Sequence, residues 1–133
     1  MELHKETEGT SVTGYTERNN NGTSIFPITR VIEMKVFHHN GKHYVRTRDA
    51  ADLLGMKQPF QFTAYCREFL GENAILKGND TESFRDGEDS PRVTFIEISD
   101  LLDYLLSDRT RYLQRFEGGM YMNVIAGLQN LLR

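Results

Sequence analysis

Asn40-Gly41 separates two short runs, VIEMKVFHH and KHYVRT, each rich in β-branched or aromatic residues. Both central residues tolerate positive φ, and Asn-Gly between two such runs is the strongest short signal for a tight β-hairpin. The pattern predicts strands over residues 33–38 and 42–46. Taken with the helical patterns that follow it in the chain, this hairpin places the sequence in a mixed α+β class.

Thr47 is placed to cap a helix, with Asp49 in its first turn to suit the helix dipole. The helix is short: Ala50, Ala51 and Leu54 form its inner stripe, and Gly55 stops it. Pro59 can open a second helix at its first position. There Phe62, Cys66, Phe69 and Leu70 recur at helical spacing as an apolar face, and Gly71 ends the run. A short apolar segment at 74–77 and the run RVTFIEI at 92–98 are expected to pair as a second hairpin, joined by the acidic segment GNDTESFRDGEDSP. Ser99 is the expected cap of a following helix, and the rest of the chain reads as helical with a break at Gly118-Gly119. The expected architecture is a small α+β, winged helix–turn–helix-like domain with two β-hairpins and a C-terminal helical segment.

Residues 1–24 are rich in Thr, Asn, Gly and Glu with scarcely any large apolar side chain. Such a stretch has little surface to bury against its ordering entropy, so it is expected to be a flexible tail, with residues 25–133 as one domain. A single cysteine, Cys66, rules out an internal disulfide framework and fits a reducing compartment. No apolar run approaches the roughly 20 residues needed to span a bilayer, and the first residues lack a signal-peptide layout. The expected setting is cytoplasmic, without a membrane partner.

Charge is distributed unevenly. The formal net charge is −3, but residues 78–108 hold nine acidic groups against two basic ones, while residues 31–77 hold seven basic against five acidic. A uniformly basic nucleic-acid binder is excluded; a locally basic face is not.

Ala51 and Gly55 stand four apart, as the small residue and the turn glycine do in a helix–turn–helix. Gln61 occupies the later position where an apolar residue is expected, so the turn is predicted to be one residue longer. If the second helix enters a major groove, its outward face carries Gln61, Ala64, Arg67 and Glu68, with Lys57, Gln58 and Thr63 near its start. Gln and Arg suit adenine and guanine edges, and Lys and Thr suit phosphate. Arg46 and Arg48, beside the first helix, are further phosphate candidates. An ordinary solvated face would have a similar composition.

The acidic segment opposes a wing laid on phosphate. Asp80, Glu82, Asp86, Glu88 and Asp89 would instead suit a basic nucleic-acid groove on another protein, or simply keep a long loop solvated. His38 and His39 are adjacent on a strand and face opposite sides, which argues against a shared metal ion, and no cofactor is expected. Cys66 lies on an apolar stripe and reads as core; no phosphate loop or nucleophile elbow is present, so no enzyme is expected. Tyr121, Val124, Ile125, Leu128, Leu131 and Leu132 form one apolar stripe on the last helix. It serves either as core packing or as a homodimer seam suited to a two-fold DNA site.

The run VFHHNGKHYVRTRDAADLLGMKQPFQFTAYCRE resembles the N-terminal Bro-type domain of phage and viral antirepressors. It has the hairpin, Val45 before the cap, Asp49, Ala50, Leu53 or Leu54, Gly55 and then Pro59. The resemblance covers about a quarter of the chain. It implies a non-catalytic DNA-binding regulatory module of a phage or mobile element, with double-stranded DNA as partner. The competing expectation is a phage-type inhibitor that binds a host DNA-handling protein, such as a repressor or a CRISPR nuclease, through its acidic surface.

Overall fold

The computed structural model describes residues 9–18, 27–80, 84, 92–108, 110–113 and 120–133. Two antiparallel sheets form. Strand β1 (Gly9–Arg18) pairs with β2 (Pro27–Lys35), and the other sheet has the order β3 (Phe37–His39), β4 (Lys42–Arg46), β6 (Thr94–Glu97), β5 (Ile75–Lys77). The helices are α1 (Thr47–Leu53), α2 (Pro59–Leu70), α3 (Ile98–Ser107), α4 (Thr110–Leu113) and α5 (Met120–Asn130). The chain is a small α+β domain. In its run β4-α1-α2-β5-β6, strand β4 lies beside β6. No helix among the described residues is long and apolar enough to cross a membrane.

The Asn-Gly hairpin forms as its chemistry requires. Asn40 and Gly41 both take positive φ, and His39 pairs with Lys42, His38 with His43 and Phe37 with Tyr44. Gly55 also has positive φ at the end of α1, and β5 and β6 pair across the acidic segment. Two expected caps differ. Thr47 is the first residue of α1, and its hydroxyl bonds the Thr94 hydroxyl, tying α1 to β6. Helix α3 begins at Ile98 with Glu97 in the cap position, not Ser99.

The larger correction concerns the N-terminal segment. Residues 9–18 are not a tail. They form a strand whose Val12 is buried in the main core, among residues of β2, α1, α3 and α5. A ladder partner in β2 satisfies the backbone, and among the described side chains Val12 docks this polar strand on the core. Strand β1 packs closely on α5: a Cβ at Gly127 would fall 2.8 Å from the Val12 methyl.

That strand also decides the role of the C-terminal stripe. Tyr121, Val124, Ile125, Leu128 and Leu131 are buried within the single chain, and Leu132 packs partly against them. The Tyr121 hydroxyl donates to the Leu105 carbonyl at 2.6 Å, locking α5 to α3. The stripe is therefore intramolecular core and is not available as a dimer seam. On α2, Phe62 and Cys66 are buried as expected, but Phe69 is 51% exposed and rests its ring near Tyr104.

A second, smaller core lies on the other face of the four-stranded sheet. Phe37, Tyr44, Phe84 and Phe95 are buried together, with Phe84 stacked on Phe95 at 4.4 Å between ring centres. Phe84 sits in the middle of the acidic segment, so that segment is pinned to the sheet at its centre. Of its carboxylates, Glu82, Asp86, Glu88 and Asp89 lie outside the described residues, and the backbone of Asp80 closes a short 3-10 turn.

Candidate nucleic-acid interface

Helix α2 is positioned by its first residues. Gln58 is extended, as the residue before a proline prefers, and Pro59 begins the helix without wasting a backbone donor. Phe62 and Cys66 then fix the inward side against the core, which turns Phe60, Gln61, Ala64 and Glu68 to solvent. Lys57, Gln58 and Gln61 are exposed together around a shallow hollow with Gly55 and Met56.

At the side of the same helix lies a cleft of about 320 Å³. Arg48, Arg67 and Arg92 line it with Thr47, Pro59, Phe60, Thr63, Val93 and Thr94. The structure thus brings Arg48 and Arg67 to one cleft and adds two residues that sequence reasoning missed. Arg92 precedes β6 and reaches the cleft through the β5–β6 pairing, which the sequence did suggest. Phe60, at 71% exposure, stands on the outward side of the first turn of α2. The Nε of Arg67 is buried without a hydrogen-bond partner, 3.6 Å from the carboxylate of the exposed Glu72. Arg48 lies within electrostatic reach of Asp49 and Asp52, whose carboxyls burial pushes above their ordinary values.

Two expected contacts are withdrawn. Arg46 is only 7% exposed; it pairs with Asp49 at 3.3 Å and lies over the Phe37 ring. Its place on β4 turns it to the small aromatic core, so it is structural. Thr63 is also buried, and its hydroxyl donates back to the Pro59 carbonyl at 3.0 Å, stabilising the start of α2 rather than a phosphate.

The Arg46–Asp49 pair gives a first prediction. Removing one partner of a buried pair leaves the other charge uncompensated, at a cost of about 3–5 kcal/mol. Arg46→Ala is expected to lose about that much in urea unfolding, beyond any effect on ligands. Desolvation raises the Asp49 carboxyl despite Arg46 and Arg48, so its proton is held more tightly folded than unfolded. That contribution favours the fold at low pH and is lost as pH rises through the raised value.

Cys66 is buried, and desolvation, with a smaller push from Asp108, raises its thiol to about 12; a thiolate nucleophile is not available there. His38 and His39 do face opposite sides: His39 lies beside Tyr44 and Phe84, while His38 faces its register partner His43. Among the described residues, no three histidine, cysteine or acidic side chains converge as metal ligands. Comparison of the chain with family models, curated proteins and solved structures finds no match.

Proposed function

We propose that this domain is a non-catalytic DNA-binding module, of the regulatory kind found in phage and mobile-element antirepressors. One observation carries the reading: helix α2 shows Gln61 and Ala64 to solvent while Arg48, Arg67 and Arg92 line one cleft beside it. Guanidinium groups neutralise backbone phosphate and fix the helix in register, and a glutamine amide can read adenine. Lys57 and Gln58 extend the contact at the N-terminal end of α2. Exposed Phe60 suits an apolar contact with a thymine methyl.

The alternative, capture of a host DNA-handling protein, draws on the carboxylates of the 78–91 segment. It makes the opposite demand on charge, which lets one set of variants separate the two.

Selection of duplexes from a random pool followed by Gln61→Ala tests the base-reading part. The variant is expected to relax preference at one position, at a cost of roughly 1–3 kcal/mol for the preferred sequence. Unchanged preference at every position would remove Gln61 from the reading face.

A further inference from the structure

The hairpin register creates a second constellation, independent of the DNA reading. His38 on β3 and His43 on β4 are direct cross-strand partners, so their side chains rise from the same face of the sheet. Their rings meet with centres 4.5 Å apart and planes at 64°. His38 is exposed and His43 half-buried. Both open onto a cleft of about 580 Å³ that is bounded by β1, Val36 and α5. Thr13, Asn123 and Asn130 bring oxygen-bearing side chains to the same wall. The Ser11 hydroxyl, also on that wall, is already donated to Glu33 at 2.6 Å.

We propose that His38 and His43 form a two-imidazole site for a divalent transition metal of the nickel, copper and zinc group. Imidazole nitrogen suits these ions, and water completes their coordination where the protein supplies only two donors. Two nitrogens on one tetrahedral ion stand roughly 3.4 Å apart, given metal–nitrogen bonds of about 2.0–2.1 Å. Rings already in edge contact reach that separation by rotating their side chains, with no movement of the strands. The second nitrogen binds intramolecularly, so the pair gains over a single imidazole by a factor on the order of 100 or more. Among the described lining residues Arg133 is the one with a charged side chain, which opposes the ion, and the nearest carboxylate is that of Glu33, held by the Ser11 hydroxyl. Glu97, which pairs with Tyr44 in the β4–β6 register, acts electrostatically on both Lys42 and His43. The ion would staple β3 to β4 beside α5.

The test is calorimetric titration of tag-free full-length protein with nickel chloride at pH 7.5. A His4→Gln background keeps the one remaining histidine outside this cluster from contributing. One ion per chain is expected. His38→Gln and His43→Gln should each weaken binding on the order of 100-fold, because each leaves a lone imidazole. His39→Gln, altering the opposite face, should bind as the parent does. His38 is exposed, so glutamine there is accommodated, and matching thermal midpoints would verify it. The proposal is overturned if the parent takes up no nickel at millimolar concentration, if His38→Gln binds like the parent, or if His39→Gln loses as much as His38→Gln.

Discussion

Glutamate at both Ile125 and Leu128 is expected to abolish folding. Both side chains are almost completely buried within one chain, in the core shared by α5, α3 and β1. Losing either apolar side chain from such a core costs about 2–5 kcal/mol, and burying a carboxylate adds more. The pair therefore exceeds much or all of the roughly 5–15 kcal/mol that holds a domain together. The double variant should show no cooperative thermal transition and no near-ultraviolet dichroism. Met122→Glu, on the exposed side of the same helix, should melt like the parent. A soluble, folded, monomeric double variant would instead restore the stripe as a subunit seam.

Deleting residues 1–24 should lower the thermal midpoint by more than about 10 °C, at roughly 3–4 °C per kcal/mol for a chain of this size. The deletion removes β1, unpairs the whole of β2 and uncovers α5. Val12→Asp isolates the packing part, and should account for much of the loss by placing a carboxylate in the core. An unchanged midpoint in both variants would mean that β1 does not dock on the domain.

These two results share a cause, which also marks how far the sequence could be read. The apolar stripe of α5 was plain from its helical spacing. Periodicity says that a face is covered, however, and not by what. The cover is α3 together with β1, whose polar composition made it look unable to order. Strand β1 lies far from α5 along the chain, and only tertiary pairing with β2 makes it worth forming. Local chemistry was legible where it acts alone. The turn at Asn40-Gly41, the stop at Gly55 and the start at Pro59 each depend on one or two residues and their immediate neighbours.

The candidate interface was legible in the same partial way. Lys57, Gln58, Gln61 and Arg48 are exposed, and Arg67 is half-buried at the cleft beside α2. Arg46 and Thr63 were chosen by residue type, and burial removes both. The presence of Asp49 three residues after Arg46 was the available hint of an internal pair. Arg92 and Phe60 join the site through the β5–β6 pairing and the exact rotation of α2, neither of which spacing alone supplies. The His38–His43 pair could have been read, because a two-residue hairpin turn at Asn40-Gly41 fixes that register.

The DNA claim is tested most directly by the salt dependence of duplex binding, measured by fluorescence anisotropy on the full-length chain. Phosphate neutralisation lowers log K against log salt by about 0.9 per contact, so Arg48, Lys57, Arg67 and Arg92 together predict a slope near −3.6. Lys57→Ala should weaken all sequences alike and flatten the slope by about one unit. Joint replacement of Arg48, Arg67 and Arg92 by alanine should remove most of the dependence, leaving a slope near −0.9. Neutralising Asp86, Glu88 and Asp89 should leave duplex affinity equal or higher. The account is contradicted if no duplex binds at low salt while those three neutralisations abolish capture of a DNA-handling protein, which would make the acidic segment the binding site.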